Sequence, residues 1–199
     1  MQSNVLEWLE HSAKNMPEKT AVRDERESIT YKQYHDKSVG IADAILESGH
    51  GRKKPVVVYI EKSVKVLVSF MGIAYSGNFY SPIDTEMPAA RVNRILEVLR
   101  PELVITTREL AKGFRQFEYD GAFLFYEDAE EKESSQAVRR AADSIIDRDL
   151  LYVLFTSGST GVPKGVCISH GSVVDYTDWV TETFGITQED IFGNQAPFY

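Results

Sequence analysis

The spacing of apolar residues changes along the chain, and the changes predict its elements. Val5, Leu6, Leu9 and Ala13 recur at helical intervals as far as the breaker at Pro17. Asn4 and Glu7 have the spacing of a capping box at the start of that helix. TAVR and SITY, on either side of the polar DERES, predict two short strands in a hairpin. Thr30 and Gln33 repeat the capping-box spacing, Tyr34, Val39, Ala42, Ile45 and Leu46 supply an apolar stripe, and Gly49 supplies the stop.

From there two patterns alternate. PVVVYI reads as a strand, SVKVLVSFMGIAYSG as an apolar helix and FYSPID as a short strand with a turn. Pro88 opens the helical pattern of PAARVNRILEVLR, and ELVITT and AFLFY follow as strands. Residues 151–155 and 166–168 are two further strand candidates. Alternating strands and helices imply parallel pairing, and unbroken apolar strands such as 56–60 suit a sheet covered on both faces. The expected fold is α/β, a parallel or mixed sheet flanked by helices. The acidic run EDAEEKE at 127–133 reads as a solvated loop, and no internal repeat is visible.

Composition narrows the function. At 199 residues the chain suits one sizeable domain, and 43% hydrophobic with 26% charged residues is a globular balance. A net charge of −8 argues against broad contact with nucleic acid or an anionic membrane, so an anionic ligand must be small and locally held. The single cysteine, Cys167, cannot form an internal disulfide and fits a reducing cytoplasm; within the apolar GVCIS it is expected to pack in the core. The first residues lack a signal-peptide pattern and no segment approaches the ~20 apolar residues of a membrane span, so a cytoplasmic protein without membrane insertion is expected.

The candidate chemistry lies between the last two strands. Thr156, Ser157, Gly158, Ser159, Thr160, Gly161 and Lys164 form a hydroxyl-rich, glycine-rich loop ending in a lysine. Lys164 stands six residues after Gly158, as in a Walker A motif. Yet Pro163 precedes it, Gly165 replaces the Mg²⁺-ligating Ser or Thr, and a strand rather than a helix follows. The residue types still suit an oligophosphate: glycines let backbone amides approach an anion, hydroxyls donate, and Lys164 adds charge. Pro163 biases Val162 towards extended geometry and stiffens the exit. The plain alternative is a hairpin connection rich in Gly, Ser and Thr, although the loop is longer than closure needs.

YVLFTSGSTGVPKGV resembles the signature phosphate loop of the adenylate-forming superfamily, which includes amino-acid adenylation domains, acyl-CoA synthetases and luciferases. MGIAYSGNFYSPIDTEMPAARVNRIL resembles the second core motif of amino-acid adenylation domains, with Tyr80, Pro82 and Asp84 on its Y-x-P-x-D turn. EKTAV, ITYKQ and the closing NQAPFY resemble the ligases that load D-alanine onto a carrier protein. The resemblance spans the chain apart from the region 112–141. It implies the N-terminal part of an AMP-binding domain and two steps: a carboxylate attacks the α-phosphorus of ATP to give an acyl-adenylate and pyrophosphate, then a carrier thiol takes the acyl group.

The same resemblance implies ATP and Mg²⁺ as cofactors, an amino-acid carboxylate as substrate and a phosphopantetheinyl carrier protein as partner. It assigns Thr156, Ser157, Gly158, Ser159, Thr160, Gly161 and Lys164 to the phosphates. The catalytic lysine, Mg²⁺ ligand and adenine contacts would lie beyond Tyr199, so these 199 residues alone are expected to be inactive. An acyl-CoA or aryl-acid ligase and a non-catalytic nucleotide-binding module are the alternatives. His170 reads as a capping or packing residue and Asp84 as a turn residue. Trp179, Phe184, Phe192 and Phe198 have two readings, the lining of a substrate pocket or the core, and at such spacing the core is the expected one.

Overall fold

The computed structural model describes residues 2–130, 135–156 and 162–199. Its centre is a six-stranded sheet of β3 (Pro55–Tyr59), β4 (Phe79–Pro82), β5 (Leu103–Thr106), β6 (Ala122–Phe125), β7 (Leu150–Thr156) and β8 (Lys164–Ser169). The strand order is β6-β5-β3-β4-β7-β8. Every pairing is parallel except that of β8, which runs antiparallel to β7, so the sheet is mixed. A separate hairpin, β1 (Thr20–Arg23) with β2 (Ser28–Thr30), matches the expectation for TAVR and SITY.

Strand alternation sends the side chains of β3 to two cores. Val56 and Val58 join Val66, Val68 and Ile73 of α3 (Val64–Tyr75) on one face. Val57 and Tyr59 join Val92, Ile95 and Leu96 of α4 (Ala89–Leu99) on the other. The connection after β3 therefore leads to one face of the sheet, whereas that after β4 leads to the opposite face on its way to β5. Where neighbouring parallel strands send their connections apart, their carboxyl ends are left with a crevice between them.

Helix α3 is apolar nearly all round because α2 (Tyr31–Glu47) covers the side turned away from the sheet. Gly72 allows the close crossing: a Cβ there would lie 2.5 Å from Ile41 Cβ and 2.8 Å from the Ser38 carbonyl oxygen. Asp24, in the β1–β2 turn, accepts from the Arg26, Glu27 and Val64 amides at 2.7, 2.8 and 2.8 Å, so the hairpin caps the first turn of α3. Burial alone would raise the Asp24 carboxyl, and these amide donors reverse it, holding the group below its usual range.

The Thr30–Gln33 box forms as expected, with bonds of 3.2 and 2.9 Å. The Asn4–Glu7 box does not. Helix α1 (Leu6–Asn15) starts two residues after Asn4, whose Oδ1 takes the Leu6 amide, while Glu7 accepts from the Ser3 amide and hydroxyl at 2.9 and 2.6 Å. The acidic run is not wholly a loop, since 127–129 fall in α6 (Tyr126–Ala129) and Arg108 grips Asp128 through two 2.6 Å contacts. Its residues 131–133 lie outside the described residues. Two short helices, α5 (Leu110–Phe114) and α7 (Gln136–Ala142), carry no clear sequence pattern.

Four burial expectations fail at the β8 end. Cys167 is exposed, and Trp179, Phe184 and Phe192 are 56%, 70% and 72% exposed. The first lies on the edge strand, the next two on α8 (His170–Phe184), and Phe192 on the segment after it. No described element covers these faces. Phe198 does pack as expected, partly buried against the α3 core.

Candidate functional site

The loop candidates divide between described and undescribed residues. Thr156 ends β7 and Lys164 begins β8, and the two pair directly in the antiparallel ladder. The Thr156 hydroxyl donates to the Lys164 carbonyl oxygen at 3.4 Å, closing the mouth of the loop. Both side chains are exposed, and Lys164 has no ion-pair partner among the described residues. Ser157, Gly158, Ser159, Thr160 and Gly161 lie outside the described residues.

The connection is a β-hairpin, and the strand expected after it is present, so no helix N-terminus follows Lys164. Gly165 has a packing reason to lack a side chain: a Cβ would come 2.9 Å from Val153 Cγ1 and 3.4 Å from the Phe155 ring. A hydroxyl-bearing residue in the Walker position would collide with β7.

Because β7 is parallel to the central strands, the loop leaves from their carboxyl edge. On that same edge a pocket of about 380 Å³ opens in the crevice between β3 and β4. Its walls include Ile60, Lys62, Asp84, Glu86, Phe198 and Tyr199. Its volume lies within the roughly 300 to 1,000 Å³ typical of small-ligand sites.

Asp84 is a turn residue, as expected, accepting from the Glu86 amide at 3.1 Å. It also takes the Tyr199 hydroxyl, and that hydrogen bond raises the phenol above its usual range. Lys62 donates to the Asn194 carbonyl, the Asn194 side-chain oxygen and the Ala196 carbonyl at 2.7, 3.1 and 2.9 Å. Tyr80 stacks on Phe70 at 4.0 Å between ring centres, and Phe198 meets Phe70 edge-on at 5.9 Å. Burial pushes the Tyr80 hydroxyl up, which suits a packing residue rather than an acid. Lys62 and Tyr199 escaped the sequence reading. Neither has a local signal, since their partners lie 132 and more than 100 residues away.

His170 is 1% exposed and receives the Val5 amide on Nδ1 at 3.4 Å. Burial pushes its pKa down to about 4, against the pull of Asp149. It follows the end of β8 opposite Lys164, and six residues at roughly 3.4 Å each keep the two about 20 Å apart. It is a packing residue, as its position suggested. Among the described residues no group of three or more His, Cys, Asp or Glu could hold a metal ion, and no helix is long and apolar enough to cross a membrane.

The sequence profile described as AMP-binding enzyme matches residues 9–199. The D-alanine--D-alanyl carrier protein ligase of Staphylococcus aureus (strain Newman) is 33% identical over 196 residues, 98% of this chain and 38% of that protein. The chain thus spans well under half the length of this relative. VinN, solved with 3-methylaspartate, superposes with a TM-score of 0.81 at 22% identity, over 96% of this chain and 54% of VinN. The fatty acid AMP ligase from Legionella pneumophila superposes with a TM-score of 0.77 at 22% identity, over 94% of this chain and 34% of that protein. At this identity the two structures establish a common fold. One is described with an amino acid and the other is named for a fatty acid, so the fold does not select the carboxylate.

Proposed function

The chain belongs to the AMP-binding enzyme family, and from that premise we propose that it is the N-terminal, triphosphate-holding part of an ATP-dependent ligase that activates an amino acid. D-alanine is the first candidate, by similarity to the staphylococcal ligase. In the proposed reaction the amino-acid carboxylate attacks the α-phosphorus of ATP, the bond to the β-phosphate oxygen breaks, and acyl-adenylate and pyrophosphate result. A phosphopantetheinyl carrier thiol then takes the acyl group. Both steps belong in the cytoplasm, where ATP is available.

The observation that carries this reading is the pairing of Thr156 with Lys164 at the loop mouth, on the carboxyl edge of the sheet. The exposed ammonium there suits the end of a triphosphate, and the Thr156 hydroxyl, which donates its one proton to the Lys164 carbonyl, fixes the register of the mouth. With no helix N-terminus following, Lys164 is the one assigned side-chain charge that opposes the negative charge on the departing pyrophosphate. Ser157, Gly158, Ser159, Thr160 and Gly161 would supply hydroxyl and amide donors. For Mg²⁺ the described residues offer no cluster, so no step is assigned to it.

A chimera tests the reading: these 199 residues replace the aligned part of the staphylococcal ligase, and exchange of pyrophosphate into ATP is followed across amino, fatty and aryl acids. Exchange driven by an amino acid is expected, slowed about 10²-fold by Lys164→Ala, with a smaller effect on transfer to the carrier. Exchange only with fatty or aryl acids would assign an acyl-CoA or aryl-acid ligase instead. A folded, soluble chimera silent with every acid would leave a nucleotide-binding module. The 199 residues alone are expected to be silent.

A further inference from the structure

We propose that Lys62 is a positioning residue that sets the course of residues 194–199 across the crevice between β3 and β4, and with it one wall of the pocket. The inference goes beyond the reading above and stands on the geometry of this chain alone. Residues 191–199 form neither helix nor strand, yet they lie against the carboxyl ends of strands formed more than a hundred residues earlier. Something must hold them there.

Lys62 lies in the short connection from β3, which ends at Tyr59, to α3, which begins at Val64. A lysine ammonium has three donors and no acceptor, and all three of its hydrogen bonds go to this one segment, to both oxygens of Asn194 and to the Ala196 carbonyl. Among the described residues neither carbonyl accepts a backbone hydrogen bond. Glu61, Asp84 and Glu86 line the same pocket, and ionised carboxylates are the stronger acceptors. The ammonium is nevertheless directed at neutral oxygens of the segment. It also lies 5.5 Å from the centre of the Phe198 ring, whose edge meets Phe70 on α3. Pro197 favours extended geometry at Ala196, which keeps the carbonyls of 194 and 196 within reach of one cation.

Lys19 donates to the Gln188 carbonyl ahead of the segment, and the Asp84 carboxylate acts on the Tyr199 hydroxyl at its end. Lys62, which lines the pocket together with Asp84, Phe198 and Tyr199, holds the stretch between them. Without it the segment keeps its Phe198 anchor but loses its register over the crevice.

Backbone nitrogen relaxation on the 199-residue chain tests this. Lys62→Met keeps the apolar stem and removes the donors; it is expected to lower the order parameters at 194–196 and 198–199 to below about 0.6, with β3 and β4 unchanged. Lys62→Arg keeps charge and donors and is expected to restore most of the order. Equal order parameters in the parent chain and Lys62→Met, or no recovery with Lys62→Arg, overturns the proposal. The unsubstituted chain gives an independent reading should Lys62→Met fail to fold: nitrogen NMR at low temperature is expected to resolve a Lys62 ammonium signal with proton contacts to Asn194 and Ala196. Absence of that signal also overturns it. None of these measurements needs nucleotide or turnover, so they stand or fall apart from the pyrophosphate-exchange result.

Discussion

Helices α3 and α8 both carry large apolar side chains, with opposite outcomes. On α3, Val68 and Ile73 are fully buried, because α2 lies on one side and the sheet on the other. On α8, Trp179 and Phe184 remain 56% and 70% exposed, and its buried residues are His170 and Val174 at the first turns. Their strands differ in the same way. The central strand β3 has a neighbour on each side, whereas β8 stands at the sheet edge with Val166 and Cys167 exposed. Side-chain chemistry therefore does not decide burial by itself. A residue of given hydrophobicity is core only where two elements close on it.

Substitutions on the two helices should separate by nearly an order of magnitude. Ile73→Ala is expected to destabilise the chain by about 4 kcal/mol in urea unfolding, because it empties a fully enclosed site. A loss below about 1 kcal/mol would mean that α3 is not the centre of the core.

His170 stands where the two regions meet, and its effect should depend on pH. In the unfolded chain an imidazole titrates near 6.5, whereas here burial pushes it down to about 4. The folded state thus binds fewer protons between those values, so this stability is full above pH 6.5 and declines as the pH falls towards 4. The decline is on the order of 3 kcal/mol over the window. Urea midpoints of the parent chain and His170→Asn at pH 7.5 and 5 check it: the parent should lose stability on acidification and the variant should lose less. Identical pH slopes would remove His170 from the account.

The smallest effect belongs to α8. Trp179→Ser and Phe184→Ser should each change stability by less than about 0.5 kcal/mol, since neither side chain loses an enclosing neighbour. Loss of more than about 2 kcal/mol in the same urea assay would show that the face is covered in solution and would erase the contrast.

Much of the architecture is legible locally. The continuous apolar run of β3 signals a strand covered on both faces, and the alternation with helices signals parallel neighbours. Thr30 and Gln33 signal their cap because both partners lie within one turn. Asn4 and Glu7 have the same spacing, but Ser3 offers a nearer pair of donors and takes the glutamate. At the candidate site, Thr156 and Lys164 are legible from the loop composition, and the structure adds that they meet across a hairpin. Lys62 was not legible, because nothing near it in sequence marks its distant carbonyl partners.

Taken alone, the sequence determined the order and type of the main elements, the six strands of the large sheet and the chemistry of the phosphate-loop candidates. These follow from interactions within a few residues: side-chain period, capping hydrogen bonds, and the backbone limits of Gly and Pro. Tertiary structure alone decided the strand order, the crevice between β3 and β4, the reach of Lys62 to Asn194 and the exposure of Cys167, Trp179 and Phe184. Each depends on which segments meet across long stretches of chain, a quantity that no local window contains because burial and long-range hydrogen bonds belong to pairs of elements.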